Sequence, residues 1–89
     1  MPPGSDDGRL TDRWEYMFVL AVETDRAARL STVWPDGEVT VVDDRQANSG
    51  RTLALLDELG RQGWQLAALD HTTTKQSSTR TFWMKRWVG

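Results

Sequence analysis

The chain contains no cysteine, one histidine, one tyrosine and two phenylalanines among its 89 residues. Without thiols there is neither a disulfide framework nor a thiolate metal site. A lone imidazole cannot build a histidine-based metal cluster, so no metal or other cofactor is expected. No apolar run approaches the roughly 20 residues that span a bilayer. The opening segment, MPPGSDDGRLTDR, is too polar for a secretory signal. A surplus of one charge is missing as well. Eleven basic and 13 acidic residues leave −2, so no overall field favours nucleic acid or an anionic membrane. What remains is one small soluble cytoplasmic domain near the lower size limit for folding without staples. Apolar burial, helped by self-association, has to stabilise it.

Five tryptophans are present, more than the core of so small a domain needs. Each buries roughly 150–250 Å², so some are expected on a second surface. Residues 1–12 lack hydrophobic period and carry paired Pro, paired Asp and Gly; they read as a disordered arm ahead of a single domain over 13–89. Trp14 to Val22 is aromatic and β-branched and predicts a strand. Trp14, Tyr16, Phe18, Leu20 and Val22 share one face; Met17 and Val19 share the other. Both faces are apolar at the middle, the mark of a strand covered on two sides. Leu30–Trp34 and Glu38–Val42 flank Pro35-Asp36-Gly37, which predicts a hairpin.

Thr52 to Gln62 predicts the only helix, with Leu55, Leu56 and Leu59 as its buried stripe, Leu53 at the margin, and Asn48 or Ser49 as cap. Gly60 inside it costs about 1 kcal/mol relative to Ala, and close approach of a strand is the expected compensation. Gly63 is expected to end the helix in the left-handed conformation, with Trp64 returning onto Leu59. Because Gly60-Arg61-Gln62-Gly63 closes a helix instead of opening one, it offers no free N–H groups to a phosphate. Trp64 to Leu69 reads as a second central strand, Asp70 to Thr79 as a long polar loop, and Arg80 to Val88 as the last strand. The fold class is therefore α+β: an antiparallel sheet of four to five strands in the order β-β-β-α-β-β, with one helix on one face. The face without a helix is expected to expose Trp83, Trp87, Val19 and Met17, while Trp14, Trp64, Leu56 and Leu59 go to the core. Trp34 suits either surface.

Trp14-Glu15-Tyr16, the run Leu55 to Gly60, Gly63-Trp64-Gln65-Leu66 and Phe82-Trp83-Met84-Lys85-Arg86 together resemble a family of small uncharacterised bacterial and phage domains. In that domain-of-unknown-function group a W-E-Y strand precedes an LxELGxxGWxL helix-to-strand corner and a closing FxxKR strand. Gln65 stands where the group tends to have Glu, and the Pro35–Gly37 hairpin is an elaboration. The resemblance implies a compact, self-associating domain and transfers no catalytic residue.

Catalysis finds little support in the residues. His71 neighbours Asp70, but adjacent residues of an extended chain point opposite ways, and Ser77 and Ser78 fall in the polar loop. No enzyme is expected. Lys75, Arg80, Lys85 and Arg86 interleave with Phe82, Trp83 and Trp87, as in single-strand binders. Four cations on an acidic chain, however, fit a charge-protected edge strand better, so nucleic acid is an unfavoured partner. Surplus tryptophan, an uncovered sheet face and the absence of disulfides point to a homo-oligomer, a dimer or higher, acting as a non-enzymatic binding or accessory domain. The interaction surface is expected at Trp83, Trp87, Arg80, Arg86 and Trp34. Two alternatives use the same residues: a phage-type sponge or sensor for a small anionic, nucleotide-like ligand held between subunits, and a weak single-stranded nucleic-acid binder.

Overall fold

The computed structural model describes residues 13–88; the arm expected over 1–12 lies outside them. Five strands form one open antiparallel sheet. In chain order the elements are β1 (Trp14–Thr24), β2 (Ala28–Val33), β3 (Val39–Asp43), the helix α1 (Ser49–Arg61), β4 (Gln65–Thr73) and β5 (Ser77–Trp87). The spatial order β3-β2-β1-β5-β4 places β1 at the centre. The fold is α+β, as its sequence pattern indicates. No helix among the described residues is long and apolar enough to cross a membrane.

Local chemistry sets most boundaries. Gly37 takes φ +88° in the β2–β3 turn, and the turn closes through Gly37 N–H to Trp34 O at 2.8 Å and Trp34 N–H to Glu38 O at 2.9 Å. Asn48 caps α1 by accepting the Arg51 N–H at 2.9 Å. Gly63 adopts φ +95°, so the chain turns back after the helix. Trp64 N–H reaches Leu59 O at 3.1 Å and Gly63 N–H reaches Gly60 O at 3.0 Å, the paired bonds of a Schellman ending. Leu59 and Trp64 are both buried beneath this corner.

The core lies between α1 and one sheet face. Met17, Val19 and Ala21 of β1, Leu30 of β2, and Phe82 and Met84 of β5 meet Leu55 and Leu59. This reverses the expected orientation of β1. Met17, Val19 and Ala21 are buried on the helix side, and Trp14, Tyr16, Phe18, Leu20 and Val22 look out from the uncovered face. Both sets are apolar, and the one that packs is fixed by register: Val19 lies opposite Thr32 and Phe82, and Ala21 opposite Leu30, all of which point toward the helix. Trp14 is accordingly half-buried on the open face instead of in the core. Gly60 also departs from expectation, because nothing lies within 4 Å of where its Cβ would be.

Two arginines fasten the helix along β5. Arg80 donates to Ala47 O at 2.6 Å, just ahead of α1, and Arg86 donates to Gln62 O at 3.3 Å, at its end. Six strand residues at about 3.4 Å each span about 20 Å, the length of a 13-residue helix at about 1.5 Å per residue. The last two strands differ most from the sequence pattern. The polar stretch expected as a long loop is strand on both sides of a short turn, because Thr72 pairs with Thr79 and Thr73 with Ser78. β4 is also an edge strand and not a central one, and all nine of its residues are exposed.

Candidate interaction surface

Along the centre of the open face, β1 and β5 bring one aromatic or cationic side chain opposite another. Trp14 pairs with Trp87, Tyr16 with Lys85, and Phe18 with Trp83. Directly opposed side chains share a face and sit close enough to interact. The Trp14 and Trp87 rings meet edge to face at 5.3 Å, and Phe18 and Trp83 meet tilted at 4.8 Å. Such pairs are worth about 0.5–1.5 kcal/mol beyond their area burial. Lys85 Nζ stands 4.3 Å from the centre of the Trp14 ring, and Trp83 Nε1 donates to Asp70 Oδ2 at 3.1 Å. The ladder is thus built within the fold, yet Tyr16 remains 59% exposed, Trp83 40% and Trp87 47%.

Aliphatic surface continues the ladder toward β3. A shallow groove of about 540 Å³ runs over Phe18, Leu20, Val22, Val33 and Val39, with Arg29 and Asp44 among its lining. A hollow of about 300 Å³ next to it is lined by Phe18, Trp83, Trp34 and Pro35 at the hairpin turn. The apolar band therefore crosses most of the sheet on the side without a helix.

Of the five residues expected at the surface, Trp83 and Trp87 stand in this band and Trp34 borders it. Trp34 itself is half-buried against the core, its Nε1 donating to Thr40 Oγ1 at 2.9 Å. Arg80 and Arg86 are elsewhere. They alternate with Trp83 and Trp87 along β5 and therefore project beside Phe82 and Met84 on the helix side. Arg80 meets Glu23 at 3.6 Å. Arg86 meets Glu15 at 3.2 Å and stacks over Trp64 at 4.4 Å. Both are committed to holding the fold. Period-2 alternation carries this separation, and Tyr16, Phe18 and Lys85 become part of the surface once the register of β1 with β5 is known.

Chemistry at His71 is limited by the same alternation. His71 Nε2 lies 3.0 Å from Ser78 Oγ and 3.2 Å from Thr73 Oγ1. Asp70 points to the opposite face, toward Trp83, so it does not orient the imidazole as the carboxylate of a triad would. Among the described residues no group of three or more His, Cys, Asp or Glu is placed to hold a metal ion. At the far end of β3, Asp43 is held below the usual carboxylate range. Backbone N–H groups of Arg45 and then Gln46 donate to it, outweighing the opposing effect of burial, and the Arg51 guanidinium adds to the lowering.

No family model, curated protein or solved structure matches the chain.

Proposed function

We propose that this protein is a non-enzymatic, self-associating binding or accessory domain whose open sheet face is its contact surface. The observation that carries this reading is the aromatic ladder of Trp14, Tyr16, Phe18, Trp83 and Trp87, continuous with the aliphatic groove and left uncovered by the single helix. Contiguous apolar surface of this kind marks interaction sites, and tryptophan and tyrosine are the residues that anchor them. A second copy supplies a matching face in a closed, two-fold arrangement, the commonest among homo-oligomers. Kinship with the domain-of-unknown-function group, suggested by the W-E-Y strand and the helix-to-strand corner, belongs to the same proposal.

Native mass spectrometry of the wild type and of Trp83→Ser and Trp87→Ser tests it. The expected result is an oligomer that each substitution converts to a smaller, still folded species. Unchanged native mass in both variants overturns the assignment of this face. The same spectra address a small anionic ligand, for which Lys85 on Trp14 and Arg29 in the groove are the available cations. An added mass of a few hundred daltons in the oligomer would favour the sponge or sensor reading. Nucleic acid loses support, because Arg80 and Arg86 serve the helix face. Any binding to single strands should be weak and should fall steeply with salt.

A further inference from the structure

We propose that the hollow between α1 and the β2–β3 hairpin binds a small amine whose apolar body ends in a hydrogen-bonding group. The site is on the helix side of the sheet, away from the open face, and goes beyond the self-association proposed above.

Two periodicities build it. Leu55, Glu58, Leu59 and Gln62 recur at the three- and four-residue spacing of one helix face. Thr32 and Trp34 alternate at the end of β2, and Thr32 pairs with Thr40, so Thr40 and Val42 join them on the side that carries the helix. Together these residues enclose about 220 Å³. Arg80 and Arg86 fasten both ends of α1 along β5. Toward the hairpin a single ion pair among the described residues, Arg51 with Asp43 at 3.1 Å, holds the first turn of α1. The hollow opens beside the later turns.

Burial sorts the lining by depth. Thr32, Leu55 and Leu59 are buried and form the floor, Trp34 and Val42 are half-buried walls, and Thr40, Glu58 and Gln62 stand exposed at the rim. Trp34 Nε1 is engaged by Thr40 Oγ1 at 2.9 Å, which fixes the indole and leaves its ring as the contact surface. Apolar walls with a few convergent polar groups are the ordinary makeup of a small-molecule site.

Two observations select the ligand. Thr32 is 1% exposed, and its hydroxyl has no hydrogen-bond partner among the described residues. An unpaired hydroxyl at such depth is costly, and a ligand group that exchanges a hydrogen bond with it removes the cost. Glu58 is the one charged residue of the lining, and it makes no ion pair among the described residues. A cation at the rim meets both its carboxylate and the Trp34 ring, whereas an anion is repelled. The volume lies below the roughly 300–1,000 Å³ of pockets for drug-sized ligands, so the occupant is small.

Tyramine carries all three features: an ammonium, a ring and a hydroxyl. Phenethylamine lacks the hydroxyl, and hydroxyphenylpropionate reverses the charge. Each is titrated into the isotope-labelled full chain while the indole N–H signals of its five tryptophans are followed by NMR. Loss of one signal in each of Trp34→Phe, Trp83→Ser and Trp87→Ser assigns those three. Tyramine should move the Trp34 signal saturably, phenethylamine should bind more weakly, and the propionate more weakly still. Thr32→Val should weaken tyramine about two- to tenfold, the worth of one hydrogen bond, and leave phenethylamine unchanged. Glu58→Gln should weaken both amines about two- to fivefold, as for an exposed ion pair. No saturable shift of Trp34 with tyramine, an equal response to the propionate, or undiminished tyramine binding in either variant overturns the site. So does an equal loss of both amines in Thr32→Val. Shifts confined to Trp83 and Trp87 overturn it as well and move amine binding to the open face. A Trp34 response that persists while Trp83→Ser and Trp87→Ser leave the native mass unchanged removes the open face and keeps this site.

Discussion

Gly60 and Gly63 sit three residues apart at the end of α1, and alanine should act on them with opposite sign. Gly60 is helical, and a Cβ there meets nothing within 4 Å. Glycine at such a position costs about 1 kcal/mol relative to alanine, through the freedom it has in the unfolded chain. Gly60→Ala should therefore stabilise the protein by about that amount. Gly63 has φ +95°, and its added Cβ would stand 3.4 Å from Arg86 Cδ, an ordinary contact. The penalty there is in the backbone, about 1–2 kcal/mol for an L-residue in left-handed geometry. The two variants should differ by about 2–3 kcal/mol. At about 4–8 °C per kcal/mol for a domain this small, Gly60→Ala should melt a few degrees above the wild type and Gly63→Ala clearly below it. Five tryptophans make fluorescence a suitable probe, and protein concentration must be fixed because assembly shifts the midpoint. A neutral or destabilising Gly60→Ala would refute the reasoning. It would mean that the position is in close contact after all, within the fold or across an interface.

Thr32 is 1% exposed, and its hydroxyl has no hydrogen-bond partner among the described residues; Thr32→Val should raise stability by about 1 kcal/mol in urea unfolding, since an unpaired buried hydroxyl costs about 1–3 kcal/mol. A destabilised variant would show that the hydroxyl is satisfied. Arg86 joins Trp64, Gln62 and Glu15, so Arg86→Met should lose about 1–2 kcal/mol. Arg86→Lys should recover only part of it, since lysine has no plane to lay on the indole; full recovery would reduce the role to charge. Asp43 has a depressed carboxyl pKa in the fold, so its contribution is complete above the ordinary carboxylate value of about 3.9 and is lost as pH falls through the lower folded value. Asp43→Asn should flatten the decline of the urea midpoint below about pH 4, and an unchanged decline would assign it to other groups.

Much of this fold is legible in the sequence because each feature has a local cause. Pro35-Asp36-Gly37 fixes a hairpin through dihedral preference, and Gly63-Trp64 fixes a helix ending through one left-handed residue and one apolar return. Where the pattern misleads, the cause is long-range. β1 is apolar on both faces, so period 2 sorts its residues into two sets without saying which set the helix covers. Only the pairing of Val19 with Phe82 and Thr32 decides that. Residues 70–79 look like a loop because they are polar, yet β5 supplies them with a partner at every step to Thr73, and a polar strand at an edge needs no apolar face.

The surface is half legible, and the missing half is a matter of alternation. Arg80 and Arg86 stand close to aromatic residues in sequence, which suggests one cationic-aromatic site. On a strand, neighbours diverge. Arg80, Phe82, Met84 and Arg86 form one row, and Trp83, Lys85 and Trp87 form the other. The row with the arginines carries the helix, its two guanidiniums spaced to the helix length. The other row is left nearly free of cations, which turns a candidate nucleic-acid stripe into an apolar one. That division also explains the surplus of tryptophan. Trp64 serves the helix corner, Trp34 the hairpin, and the other three lie together on the open face, where they pack on one another, on Phe18 and on Lys85 but no second layer of the fold covers them.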